Sequence, residues 1–116
     1  MATLVDQDFR ARLQALADKF AAGVPATTQS ISAILSHCGN EMPAPDALEK
    51  LHALLHGVAG SAGTFGLAVL GREARVLEQE VRLLQEKRAD WPALAARIAA
   101  FVDWAERDPK SSTYPA

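Results

Sequence analysis

His56 is the residue in this chain best suited to covalent chemistry. A neutral imidazole nitrogen is a nucleophile near pH 7, because an unperturbed pKa of about 6.5 leaves much of it uncharged. It can take up a phosphoryl group when its other ring nitrogen is held by an acceptor, which fixes the tautomer and the ring direction. The surroundings of His56 are unusual. Residues 56–66 hold four glycines in eleven residues, within a region that otherwise reads as helix. A glycine inside a helix costs about 1 kcal/mol relative to alanine. Gly57, Gly60 and Gly63 together cost on the order of 2–3 kcal/mol, a sizeable part of a small domain's net stability. Packing explains one or two of them. The group reads as a surface cleared around His56, where the backbone of another protein must come close.

Glu78 is the candidate acceptor for the second ring nitrogen. His56 lies ten residues before Gly66 and Glu78 twelve after it. If two helices run antiparallel from a turn at residues 64–66, a rise of about 1.5 Å per residue puts both side chains at nearly the same height. Arg75, one turn from Glu78, can help to stabilise phosphate charge. For each of these there is a plainer reading, a solvated side chain on a helix surface.

Other combinations are weaker. Glu49 and His52 have the carboxylate–histidine spacing of di-metal bundles, but those need two such pairs and further glutamates. His52 and His56 alone hold a metal weakly, and no metal site is expected. His37 and Cys38 are adjacent without an orienting third group. Arg82, Lys87 and Arg88 suit the macrodipole at the end of a helix. No Walker loop or kinase glycine loop is present to cradle ATP, so no cofactor is expected.

The elements that must position His56 are helical. Residues 5–24 carry Phe9, Leu13, Leu16 and Phe20 at helical spacing, with Asp6 as an N-cap. Pro25 removes a donor, so this first helix is either long or broken there. Ile31, Ile34 and Leu35 continue the stripe to about His37. Residues 39–45 form the clearest loop, with a glycine and two prolines. Asp46 then reads as an N-cap with Glu49 three positions on, like a capping box. In the second helix, residues 47–62, the apolar stripe is Leu48, Leu51, Leu55, Val58 and Ala62. His56 falls at its edge, about 100° from Leu55 at one residue's rotation, and should be partly exposed. Gly66 can stop this helix while Phe65 anchors the corner. Residues 67–88 form a third helix, with Leu70, Leu77, Val81 and Leu84 inward. Asp90 caps a fourth, with Pro92 in its first turn and a core face of Leu94, Ile98, Phe101, Val102 and Trp104. The pattern predicts an all-α antiparallel four-helix bundle over residues 1–108 and a flexible tail over 109–116.

His56, Ala59, Gly60, Gly66 and Leu70, at their spacing here, resemble the signature of histidine phosphotransfer (HPt) domains. The corner Gly63-Thr64-Phe65-Gly66 is particularly similar to the phosphotransfer domain of chemotaxis-type histidine kinases. The resemblance covers residues 48–84. It implies that His56 is the phosphoacceptor, with Glu78 where the family places the carboxylate partner of the histidine. It implies partners too: response-regulator receiver domains, which carry the Mg²⁺, and a hybrid sensor histidine kinase. One departure is visible. Many members carry lysine where this chain has Ala59. An adaptor that binds a kinase or receiver without transferring phosphate is therefore the alternative reading.

The totals bound the rest. At 116 residues the chain has room for one core. A formal charge of −2 leaves no electrostatic footprint for nucleic acid. No apolar run reaches the ~18–20 residues of a membrane span, and no signal peptide is visible. The single cysteine, Cys38, cannot make an internal disulfide, which points to a reducing cytoplasm.

Overall fold

The computed structural model describes residues 3–87 and 90–115. Four α-helices follow one another: α1 (Thr3–Cys38), α2 (Pro45–Thr64), α3 (Ala68–Lys87) and α4 (Trp91–Arg107). Each packs on its neighbours in sequence, and α4 closes the ring against α1. Gly66, at φ +80°, turns the chain between α2 and α3 in a conformation that favours glycine. Leu67 N–H then donates to Ala62 O at 2.8 Å, which ties the corner. The result is the expected bundle.

The apolar stripes read from the sequence form its core. Leu51, Leu55, Val81, Ile98 and Phe101 are fully buried, and each such side chain contributes roughly 1.5–3 kcal/mol. Asp90 caps α4 as its position suggests, its Oδ1 accepting from Ala93 N–H at 3.2 Å. The cap expected at Asp46 is not there. Helix α2 starts two residues earlier, at Pro45, with Ala44 in the cap position and no side-chain cap bond. Proline at the first helical position has its φ preset and loses no donor the helix would use, so it sets the start. Asp46 falls in the first turn instead, where its charge suits the helix dipole. The cap expected at Asp6 is also displaced, because α1 already begins at Thr3.

Of the two alternatives at Pro25, the long helix holds: α1 runs unbroken through it. A helix interior normally loses about 3 kcal/mol at proline. Here the flanking turns are clamped by packing. Val24 and Ile31 are in the core, and buried Thr28 places its hydroxyl 3.0 Å from Pro25 O and 2.8 Å from Glu106 Oε1 on α4. At 36 residues α1 is much longer than its neighbours. Its first half therefore leaves Phe9, Leu13 and Leu16 exposed, while Phe20 reaches Phe65 at the α2–α3 corner, ring centroids 5.6 Å apart.

The segment after α4, read from the sequence as a loose tail, lies back on the bundle. Trp104 Nε1–H donates to Thr113 O at 2.8 Å, and Tyr114 stands edge-on to the Trp104 ring at 4.9 Å. Lys110 Nζ donates to Asp18 Oδ1 on α1 at 2.6 Å. That bond, aided by the Gln14 amide, holds the Asp18 carboxyl below its ordinary range. The clasp is thus made at neutral pH and weakens as acid protonates Asp18. The expected ends of the third helix at Arg88 and of the tail at Ala116 lie outside the described residues.

One close approach sets the spacing of α2 and α3. A Cβ on Gly71 would stand 3.3 Å from Ala59 O, Ala62 Cβ and Gly63 N. Two of these are backbone atoms and cannot swing aside. Gly71→Ala should therefore lower stability by about 1–2 kcal/mol, crowding outweighing the better helix propensity. Thermal unfolding reads this as a drop of several degrees.

Candidate functional site

The α2–α3 pair is the most extensive packing in the bundle, and the candidate site lies on its outer seam. Along α2, the stripe of Leu51, Leu55, Val58 and Ala62 points inward, so His52 and His56 fall on the flank that faces α3. Along α3, buried Leu77 and Val81 bracket Glu78 in the same way. His56 and Glu78 stand at the same height along the helix pair, as their distances from Gly66 predict. His56 Nδ1 and Glu78 Oε1 are 2.6 Å apart.

The exposures of the two partners differ in a useful way. The His56 side chain is 71% exposed and that of Glu78 only 14%. The carboxylate is thus a sheltered, fixed acceptor, and the imidazole stands at the rim. An ionised carboxylate only accepts, so the proton of this bond sits on Nδ1. That leaves the Nε2 lone pair free on the solvent side. This is the arrangement a nitrogen nucleophile needs: one ring nitrogen oriented by a sheltered anion, the other open to an incoming electrophile.

Around the ring the surface is bare. A Cβ at Gly57, Gly60 or Gly63 would meet nothing within 4 Å outside its own helix. Packing inside this chain therefore does not require glycine at these positions. Ala59 is buried against the bundle and carries no charge to the rim. The corner residue Phe65 is half-buried, and Gly66 turns the chain just behind it. A shallow depression joins His56, Gly60 and Glu78 to Arg75 and to two residues that sequence reasoning gave other roles, His52 and Arg82.

The sequence spacing of His52 suggests only a weak metal pairing with His56. Its ring stacks beside that of His56, centroids 6.0 Å apart and planes 13° apart. Its Nε2 lies 3.4 Å from the same Glu78 oxygen and 3.4 Å from a guanidinium nitrogen of Arg82. Arg82, read as a helix-dipole residue, thus reaches across to α2. The signal was present in the spacing: His52 is one turn before His56, and Arg82 one turn after Glu78, so the two pairs form adjacent rungs between antiparallel helices. Among the described residues, no group of three or more His, Cys, Asp or Glu side chains is placed to hold a metal ion. No described helix is long and apolar enough to cross a membrane.

Comparison with known proteins gives one match. The model of the Hpt domain family matches residues 7–107, nearly the whole chain. No curated protein and no solved structure matches.

Proposed function

We propose that this chain, which belongs to the Hpt domain family, relays a phosphoryl group between the aspartates of receiver domains through His56. The family is one of histidine phosphotransfer modules of two-component systems, which lack an ATP-binding kinase site and work with receivers and kinases. The observation that carries the finer reading is the 2.6 Å contact of His56 Nδ1 with sheltered Glu78, beside an open Nε2.

In this reading a receiver presents its aspartyl phosphate over the glycine surface. The Nε2 lone pair of His56 forms the new P–N bond as the P–O bond to the aspartate breaks, and the carboxylate leaves with the electron pair. The ring becomes an N-phosphoryl imidazolium. Glu78 keeps the Nδ1 proton in place and stabilises the positive charge that develops on the ring. Arg75, on the same depression, adds positive charge on the phosphate side. The Mg²⁺ bound by the receiver supplies the remaining charge neutralisation, and this chain needs no cofactor of its own. A second receiver takes the group by the reverse step. A hybrid sensor kinase upstream and a cytoplasmic setting complete the proposal.

The test is transfer from receivers phosphorylated beforehand. Label should move to this protein in acid-labile, alkali-stable form and then onward to a second receiver. Receivers that bind without passing label would instead favour the adaptor reading, which Ala59 in place of a cation keeps in view. Within the same assay Glu78→Ala should slow acceptance about 10²-fold, the usual size of a lost charge-stabilising contact. Glu78→Gln, which can still accept from Nδ1–H, should fall between the two.

A further inference from the structure

We infer that His52 is a positioning residue of this site: it seats Arg82 on the depression that His56 lines and leaves Glu78 to His56 alone. The inference rests on the phosphotransfer reading above and extends it to a pair that reading does not use.

A guanidinium has donors and no acceptor. Its 3.4 Å contact with His52 Nε2 therefore requires a lone pair on that nitrogen, and the proton of the neutral ring sits on Nδ1. A ring in this form cannot donate from Nε2 to Glu78. The geometry agrees with that assignment. Direction rather than length separates the two 3.4 Å contacts of His52 Nε2: the one with Arg82 has hydrogen-bond geometry, and the one with the Glu78 oxygen, already held by His56 at 2.6 Å, does not. If His52 carried its proton on Nε2 instead, it would compete with His56 for Glu78 and repel the guanidinium's N–H.

Burial and placement support the same division of roles. The His52 side chain is 18% exposed, that of His56 71%. The inner ring is the fixed one, and the outer ring is the one a partner can reach. The two rings lie nearly parallel, 13° apart, one helical turn along α2. A guanidinium seated on His52, whose ring centroid is 6.0 Å from that of His56, lines the same depression as the acceptor ring. A phosphoryl group on His56 Nε2 adds negative charge at that rim. Ala59 brings no cation there, and among the described residues Arg82 has no carboxylate within ion-pair distance. Among the described residues its side-chain partner is the ring of His52.

Phosphoramidate, a small donor that needs no docking surface, separates this proposal from the relay reading. With it, His52→Ala and Arg82→Ala should each slow phosphorylation of His56 about tenfold, as expected for one charge-assisted contact at an exposed site. The double variant should be no slower than either single one, because the two residues act as one unit. His52→Gln, whose amide oxygen can accept from Arg82, should restore most of the rate. In the unphosphorylated protein, imidazole ¹⁵N shifts should show the His52 proton on Nδ1, and Arg82→Ala should weaken that preference. Single variants within twofold of wild type would overturn the proposal. So would effects that multiply in the double variant, or a wild-type His52 with its proton on Nε2. Circular dichroism on each variant excludes misfolding as the cause. Failure of the relay reading looks different: phosphoramidate would label His56→Gln as well, or no receiver would exchange label with the wild type.

Discussion

A His56→Gln protein accepts no phosphoryl group from any receiver that labels the wild type. The loss is expected to be complete, because an amide nitrogen has no available lone pair and no other ring offers an open nitrogen held in this way. His52 is mostly buried, and its Nε2 is occupied by Arg82. The fold should survive. The His56 side chain is 71% exposed and fills no core position, so its removal should change stability by about 0.5 kcal/mol or less apart from the bond to Glu78. That bond adds about 1 kcal/mol at most, since glutamine can still donate to the carboxylate. Radiolabel transfer against far-UV helicity separates the two effects.

Gly60→Glu blocks transfer from receivers by at least 10²-fold, with the helices intact. Gly60 lies one turn from His56 on the same face, and a Cβ there meets nothing within 4 Å. The new side chain thus has room to stand without disturbing the bundle, directly in the path of a docking partner. Its charge also repels the arriving phosphoryl group. Gly60→Ala makes the contrast. It should raise stability by up to about 1 kcal/mol, since alanine is the better helix former and nothing crowds it, while any loss of transfer is small. A glycine retained at a cost in helix stability, with empty space before it, is best explained by what comes from outside. Normal transfer by Gly60→Glu would show that receivers approach from elsewhere.

The parts of this molecule that were legible in the sequence are those decided within one helix or by simple chain length. The stripe from Leu48 to Ala62 and the stripe from Leu70 to Leu84 follow from a 3.6-residue period, and both are buried. The cap at Asp90 follows from a residue type and its distance to Pro92. The match in height of His56 and Glu78 needs only a turn and a rise per residue. What was not legible depends on the neighbours. Pro25 breaks a helix by its own chemistry, yet α2 and α4 hold α1 straight enough to continue. Asp46 has the chemistry of a cap, yet Pro45 starts the helix before it. Gly71 reads as a plain helix-weakening residue until α2 is placed 3.3 Å from its missing Cβ. The return of the tail depends on Trp104 and Tyr114 meeting edge to face, with burial raising the Tyr114 phenol and Glu73 adding to the shift. The contact of Arg82 with His52 joins residues thirty positions apart that each had an adequate explanation on its own helix.

The account stands on Nε2 of His56 as the reacting atom, because Glu78 occupies Nδ1. The direct measurement is ³¹P–¹⁵N coupling in the phosphorylated protein carrying ¹⁵N-labelled histidine. The account predicts one phosphorus, coupled to Nε2 of His56 and to no other ring nitrogen. Phosphorus on Nδ1 of His56, on His52 or on His37 would contradict it.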